Sequence, residues 1–412
     1  MTRPVAGRTQ GLLSELLSGD AADRQSEQQP SQGPSFSHAL HGDPALSGLT
    51  GWQSHETSSR HQAGGTALRA PWALQPPPRS HSPGGPSLFG AIRSELPLDV
   101  WLPMGGYLLA RHIDGRPIDA AGIDRLVPAQ EALVDARQAL PFGRGNIDMD
   151  LQHTNGASRV RTHAARQLRL DAQIAGTQLM PGIPASVNLH LLIAMSAYAF
   201  LAGNCSEYAR VAAFAYGSRA QQRGRPASDA VAIYELPNGE HVWAEAPSSA
   251  AGQSPVVIDA WADGPAVFVE DAQFPKDRRT AATVGWFDLR RAARAGNTAR
   301  LEAESIRRQP RNGIAERLDR AEREIAASPT AALLSGEQPL STRYPRPRRI
   351  LSDAFAARVH DRLETGDPRY ACLTEIQAAC IAMSFGSEGV KRIANDAAKI
   401  VDSATALIAR DQ

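Results

Sequence analysis

The chain has 412 residues, enough for roughly two or three domains, and its 42% hydrophobic content is slightly low for a protein folded throughout. Its 44 basic and 43 acidic side chains give a formal net charge of +1, which argues against a general nucleic-acid binder. Three cysteines are too few for a disulfide framework, so a reducing compartment is expected. No cysteine or histidine spacing matches a zinc motif, and we predict no metal site and no cofactor.

The chain start and the apolar stretches predict a soluble protein. MTRPVAGRTQ lacks the apolar core of a secretory signal, and Thr2 stands where N-myristoylation needs glycine. The longest apolar stretch, residues 189–203, is too short to span a bilayer. We therefore expect no membrane anchor.

Residues 1–95 predict a disordered region, because they are rich in Ser, Gly, Pro and Gln and their apolar residues are scattered. Such a polar N-terminus is compatible with export of an unfolded chain through a needle-type secretion system. The folded body is expected from about Leu96, with a core over residues 96–285 and a helical region over residues 286–412.

The first part of the core predicts helices. A helical pattern over residues 120–140 carries an internal Pro128, and residues 141–156 indicate a loop because of their glycines and Asn and Asp residues. Ser186 is expected to cap a buried helix that Gly203 breaks.

The next helix is expected to begin with Cys205. Asn204 is a good N-cap, and the predicted helix runs from Cys205 to about Tyr216, with Gly217 at its end. Cys205 would thus lie on the first turn.

Strands follow in the sequence. Residues 229–235 and 241–246 flank the turn signal Leu-Pro-Asn-Gly, which predicts a hairpin, and residues 256–261 and 266–269 predict a third and a fourth strand. Helices followed by an antiparallel sheet give an α+β fold.

Beyond about Gly285 the sequence predicts helices: two Arg-rich stretches, then residues 350–362 and 370–383. The segment TRYPRPRRI, residues 342–350, is interpreted as a solvated linker between helices, with a nuclear-import or partner patch as the alternative.

Cys205, His241 and Asp259 form the constellation most able to carry chemistry. A helix N-terminus favours a thiolate, and the Cys205 N–H can help to form an oxyanion hole, although Glu207 opposes the thiolate slightly. If the second and third strands pair antiparallel, Asp259 can lie opposite His241 and orient it as the base.

Two tryptophans flank this constellation, and several other residues compete for its roles. Trp243 and Trp261 share strand faces with His241 and Asp259 and are predicted walls of the site. Alternative residues are Cys372 and Cys380 as thiols, which core packing explains better, His153 and His163 as bases, and Asn188 and Gln178 as second oxyanion donors; His190 is expected to be a buried helix residue.

Three segments, GNCSEYARVAAFAYGS, GEHVWAEAP and VVIDAWADGPAVFVED, resemble the catalytic segments of the HopX (AvrPphE) family of type III effectors from plant pathogens, which includes the XopE proteins. That family is similar to the transglutaminase-like branch of the papain-like cysteine enzymes. The resemblance implies that Cys205 is the nucleophile, His241 the base and Asp259 the acid. It also implies a segment that binds a target or cofactor, matched by GRGNIDMD: Gly143, Arg144, Gly145, Asn146 and Asp148.

The resemblance implies an effector that acts in the host cytoplasm or nucleus, with host proteins as substrates, jasmonate-pathway repressors among them, and a type III chaperone at its N-terminus. Some relatives carry a myristoylation glycine that this chain lacks. We expect a cysteine protease that works through a thioester on Cys205. The alternatives are transglutaminase or deamidase chemistry on host Gln residues, and a non-enzymatic binding protein with a relic triad.

Overall fold

The computed structural model describes residues 98–227, 229–248, 253–273, 280–309, 313–327, 343–364, 374, 377–379, 381 and 390–409, all from one compact unit of the chain. The helices of this unit are α1 (Leu98–Ile113), α2 (Ala120–Ala139), α3 (Asp148–His153), α4 (Ala157–Ile174), α5 (Ala185–Phe200), α6 (Cys205–Gln222), α7 (Leu289–Arg307), α8 (Ile314–Ala327), α9 (Asp353–Glu364) and α10 (Val390–Ile408). The strands are β1 (Ala230–Glu235), β2 (Val242–Ala246), β3 (Val256–Ile258), β4 (Val267–Phe268) and β5 (Ala282–Asp288).

One antiparallel five-stranded sheet, in the order β4–β3–β2–β1–β5, packs with these helices, which confirms the predicted α+β class. The predicted hairpin is present, because β1 and β2 pair around the short turn Pro237–Gly239. The third and fourth strands are shorter than predicted. In particular, β3 ends at Ile258 and leaves Asp259 just beyond the sheet.

Strand β5 was not predicted, and the expected return to helix at Gly285 is wrong by four residues. The stretch 282–288 continues as a strand beside β1, and α7 starts only after Asp288, whose side chain accepts a hydrogen bond from the Arg291 N–H at 2.7 Å. This strand lies at the sheet edge and is partly exposed, so it lacks a clear hydrophobic pattern. The predicted boundary between residues 285 and 286 falls inside it.

Helices α5 and α6 lie at the centre of this unit. Ser186 lies inside α5, whose N-cap is Pro184, so the predicted cap is wrong by two residues. Helix α6 begins at Cys205 with Asn204 as N-cap, as predicted, and packs against β1, β2, α2, α5 and α7. The sheet and the neighbouring helices therefore fix the position of its first turn.

The predicted helix end at Gly217 is wrong, because α6 continues to Gln222. A Cβ at residue 217 would lie 2.6 Å from the Cβ of Ala292 on α7. The glycine therefore allows α6 and α7 to cross closely. A glycine is also the usual signal of a helix end, so the sequence alone does not separate the two roles.

The C-terminal helices α9 and α10 pack against each other and against α1. Helix α10 packs on α1, where a Cβ on Gly106 would lie 2.8 Å from the backbone of Ala404. Most of the predicted helix 370–383, with Cys372 and Cys380, and the whole of residues 1–95 lie outside the described residues. In the described part of the chain, no helix has the length and apolar character needed to cross a membrane.

Candidate active site

His241 and Asp259 form a buried pair at one end of the sheet. His241 directly precedes β2, Asp259 directly follows β3, and the imidazole Nε2 lies 2.7 Å from Asp259 Oδ2. Both side chains are almost fully buried, 1% and 2% exposed. The register pairs Ala244 with Ile258, so Asp259 is level with Trp243 and the expectation that it lies opposite His241 is wrong by two residues. The contact forms along the diagonal between the strands.

The second oxygen of Asp259 is held by the backbone. Oδ1 accepts hydrogen bonds from the N–H groups of Trp261 and Ala262, each at 3.1 Å. The carboxylate therefore fixes its own turn with one oxygen and directs the other to the imidazole. A carboxylate held in this way sets the orientation of the ring.

Cys205 completes the row on the other side of His241. It is the first residue of α6, it is half-buried, and its thiol is hydrogen-bonded to His241. Because Nε2 faces Asp259, Nδ1 is the ring nitrogen left for the sulfur. Burial lowers the pKa of His241, but the charge and hydrogen bond of Asp259, with a smaller contribution from Cys205, raise it to about 9. The imidazolium is therefore the favoured form at neutral pH.

Glu207, the acid expected to oppose the thiolate, keeps its negative charge, but neighbouring cations offset that charge. Its Oε2 accepts the Asn204 N–H at 2.8 Å, and Oε1 lies 3.6 Å from Arg166 Nε and 3.9 Å from Arg169 Nη1. Burial raises its pKa, but the two arginines and the backbone N–H groups lower it by more, so the net shift is downward. Glu207 is thus an anion that caps the helix while its charge is offset by two arginines.

The predicted walls, Trp243 and Trp261, both contact His241. The Trp243 ring stacks on the imidazole with centroids 5.9 Å apart, and the Trp261 ring lies at 5.1 Å. Their indole N–H groups donate to Glu245 Oε1 at 2.8 Å and to Asn146 Oδ1 at 3.1 Å. These two rings keep water from the faces of the imidazole.

The upstream segment, residues 143–150, lies against the thiol-bearing turn. The Gly145 N–H donates to the Gly203 carbonyl, and the Gly203 N–H donates to the Gly143 carbonyl, each at 3.3 Å. Arg144 donates to the Trp261 carbonyl at 2.8 Å. The segment therefore links the chain before Cys205 to the chain after Asp259.

The loop predicted over residues 141–156 is wrong in part, because residues 148–153 form the short helix α3. Asp150 in this helix accepts the Arg144 backbone N–H and its guanidinium, both at 2.7 Å. Gly143 has φ +78°, and a Cβ there would lie 2.6 Å from an Asp150 oxygen. This glycine is therefore required by both conformation and space.

The segment 343–352, which we call the strap, lies between α8 and α9 in the sequence and runs along the candidate site. The Tyr344 N–H donates to the Asn146 carbonyl at 3.0 Å, and the Asp148 N–H donates to the Tyr344 carbonyl at 2.9 Å. The Tyr344 ring meets Trp261 edge-on with centroids 5.5 Å apart, and Arg343 Nε donates to Asp148 Oδ1 at 2.8 Å. The predicted solvated linker is therefore wrong, because this part of the chain is docked.

The alternative residues have other partners. His163 pairs with Glu324 at 3.1 Å between α4 and α8, and the Asn188 side chain holds the backbone of Thr177 and Leu179. His153 lines a separate cavity of about 470 Å³, bounded also by Phe142, Arg144, Met149, Tyr208 and Asp263. Gln178 is exposed in the loop before α5.

Sequence reasoning missed the arginines around the first turn of α6: Arg169 and Arg210, which are buried, and Arg166, which is half-buried. One signal was available, because Arg210 interrupts a helix whose neighbouring residues are otherwise apolar. A charged residue in such a pattern indicates a buried polar contact.

Within the described residues, no cluster of three or more His, Cys, Asp or Glu side chains is arranged to hold a metal ion. Comparison of the chain with models of protein families, with curated protein sequences and with solved structures gave no match.

Proposed function

We propose that the chain is a Cys–His–Asp thiol enzyme that acts in a plant host cell after type III secretion, with cleavage of host regulatory proteins as its leading activity. The observation that carries the proposal is the row Cys205–His241–Asp259, in which Cys205 is a half-buried residue while the side chains of His241 and Asp259 are buried. A thiol on a helix packed against an antiparallel sheet is also the papain-like or transglutaminase-like arrangement. The HopX resemblance of the segments around these residues supports the host setting and jasmonate-pathway repressors as substrates.

The first half-reaction is acyl transfer to sulfur. The Cys205 thiolate attacks the carbonyl carbon of a peptide or side-chain amide, and a C–S bond forms as the carbonyl oxygen becomes an oxyanion. The Cys205 N–H, in the first turn of α6, would donate to that oxyanion. The tetrahedral intermediate then collapses to a thioester, the C–N bond breaks, and the His241 imidazolium gives its proton to the leaving nitrogen.

The second half-reaction depends on the acceptor. His241, now neutral, takes a proton from water, the water oxygen attacks the thioester carbon, and the C–S bond breaks to release a carboxylic acid and the thiolate. Attack by an amine would instead give a new amide, as in a transglutaminase. In both cases Asp259 holds the imidazole and stabilises its charged form.

The direct test is mass spectrometry of plant extract treated with the full chain or with Cys205→Ala. We expect new protein N-termini that only the wild-type chain produces, because water is the acceptor in the leading activity. Deamidated Gln in their place would indicate a deamidase, and isopeptide cross-links would indicate a transglutaminase. Identical product sets from the two proteins would contradict an enzyme and support a binding protein.

A second readout does not depend on any host substrate. We expect iodoacetamide to alkylate Cys205 near neutral pH far faster than Cys372 or Cys380, since the Cys205 thiol is hydrogen-bonded to the His241 imidazolium. Peptide mapping after timed exposure measures all three rates. Equal rates would argue against a nucleophilic Cys205.

A further inference from the structure

Arg210 lies one helical turn beyond Ser206, the residue next to Cys205, and is only 5% exposed. Its Nη1 donates to the Ser206 hydroxyl at 2.8 Å and to the Ser206 carbonyl at 3.0 Å. A guanidinium has rigidly placed donors, so these two contacts fix the first turn of α6 on the side of Ser206. That turn carries the Cys205 sulfur.

A third contact of Arg210 goes to His190 on α5. Arg210 Nε donates to His190 Nδ1 at 3.2 Å, and because a guanidinium can only donate, Nδ1 must lack a proton. Nε2 then carries the proton and donates to the Val284 carbonyl on β5 at 2.8 Å. Burial and the charge of Arg210 lower the pKa of His190 to about 4, so His190 is neutral at neutral pH.

The charge of Arg210 is not cancelled by these contacts. In the described structure its hydrogen bonds go to Ser206 and to neutral His190, which are both uncharged groups. Burial lowers its pKa, and the acidic groups that act against this are Glu235, Glu207 and Cys205. Glu207 also has Arg166 and Arg169 beside it. Arg210 therefore remains a buried positive charge beside the turn that carries the sulfur.

We infer that Arg210 is a positioning residue for the proposed reaction: it clamps the first turn of α6 and stabilises the Cys205 thiolate, with His190 as its neutral hydrogen-bond acceptor. The inference rests on the proposed function and deepens it. Two positive charges would then act on the sulfur: the His241 imidazolium, which is hydrogen-bonded to it, and Arg210, which holds the neighbouring Ser206. Glu207 is the opposing anion in the same turn.

The test is the pH dependence of Cys205 alkylation in Arg210→Gln, Arg210→Lys and wild-type full-length chains, measured by peptide mapping. We expect Arg210→Gln to shift the midpoint upward, so that alkylation at neutral pH slows by about tenfold. Arg210→Lys keeps the charge but lacks the rigidly placed donors that hold Ser206, so it should recover part of the rate. If Arg210→Gln fails to fold, Arg210→Lys is the second variant. A midpoint of Cys205 alkylation in Arg210→Lys that lies more than about one pH unit from the wild-type midpoint would then overturn the inference.

Arg125→Gln is the matched control. Arg125 is similarly buried, at 8% exposed, but it contacts the Ser254 carbonyl and the Phe268 ring, away from the candidate site. This change should leave the midpoint of Cys205 alkylation where it is. A folded Arg210→Gln chain with the wild-type midpoint would overturn the inference while leaving the enzyme proposal intact. Slow alkylation of Cys205 in the wild type would instead overturn the proposed function.

Discussion

At the scale of single residues, the charge of His241 results from two opposed effects. Its full burial removes water from the imidazole and would by itself make it neutral, whereas Asp259 at 2.7 Å and the neighbouring sulfur favour the imidazolium. The carboxylate is therefore what decides the protonation state. His190, buried to a similar extent beside an arginine, shows the opposite outcome, with a pKa lowered to about 4.

Asp259→Asn should reverse the shift at His241. Burial would remain while the carboxylate charge is lost, so we expect the pKa of His241 to fall from about 9 to below its ordinary value near 6.5. Alkylation of Cys205 at neutral pH should slow by about tenfold or more. NMR of the labelled imidazole measures the pKa, and peptide mapping measures the rate.

Asp263→Asn is the control for this change, because Asp263 lies in the same loop, is 60% exposed and contacts Arg144. It should leave the titration of His241 unchanged. An unshifted pKa of His241 in Asp259→Asn would contradict the account.

The raised pKa of His241 also makes the stability of the fold depend on pH. The stabilisation from protonated His241 is complete below pH 6.5 and is lost as the pH rises through about 9.

At the scale of elements, α6 depends on the close contact between Gly203 and the upstream segment. Gly203 exchanges backbone hydrogen bonds with Gly143 and Gly145, and a Cβ at residue 203 would overlap the Cβ of Glu207. The space between residue 203 and the Glu207 side chain in the first turn of α6 therefore admits only glycine.

Gly203→Ala should move the first turn of α6. We expect a loss of about 1–3 kcal/mol of unfolding free energy, from overpacking, together with slower Cys205 alkylation. Urea unfolding and peptide mapping measure the two effects. Gly224→Ala is the control, because Gly224 has φ +75° in open space, so only backbone strain of about 1–2 kcal/mol arises and Cys205 should react at the wild-type rate. A fully stable and reactive Gly203→Ala chain would refute the packing argument.

Local signals were sufficient for the elements that carry the three candidate residues. Asn204 followed by Glu207 is a capping pattern that predicts the start of α6, and the Asn-Gly turn after β1 predicts the hairpin that places His241. The approach of Asp259 to His241 followed from antiparallel pairing, although the register itself was not predictable from either strand alone.

The remaining features depend on residues far away in the chain, and local patterns did not reveal them. The strap has the composition of a linker, and its place is set by backbone bonds to Asn146 and Asp263. Strand β5 contains a glycine and an exposed face, and only its pairing with β1 defines it. Gly217 shows that one residue type can mark either a helix end or a helix crossing.

At the scale of the whole molecule, one buried carboxylate joins α1 and α9, two helices far apart in the sequence, to the sheet. Asp271, which is fully buried just after β4, accepts hydrogen bonds from Tyr107 at 2.8 Å, Arg111 at 2.7 Å and Arg116 at 2.6 Å. Arg358 on α9 lies 3.6 Å away. Removal of this charge would leave the buried Arg111 without its nearest acid and would remove a partner of the more exposed Arg116 and Arg358.

Asp271→Asn should therefore destabilise the fold by about 3–5 kcal/mol, the usual cost of breaking a buried ion pair. Asp135→Asn is the control, because its pair with Arg219 is partly exposed and should contribute less than about 1 kcal/mol. Urea unfolding of both variants gives the comparison. Because Asp271 does not contact the Cys205 row, the folded fraction should still alkylate at the wild-type rate. Equal stability losses in the two variants would contradict the assignment.

The strap has a consequence for the order in which the molecule assembles. Arg343 and Asp148 meet although they are 195 residues apart in sequence, so the contact closes a very long loop. Long-range closures of this kind form slowly, and a chain made from its N-terminus cannot form this one until Arg343 has emerged. Cys205, His241 and Asp259 can thus assemble before the strap arrives, and a nascent chain would pass through a stage in which the Trp261 ring lacks its Tyr344 neighbour.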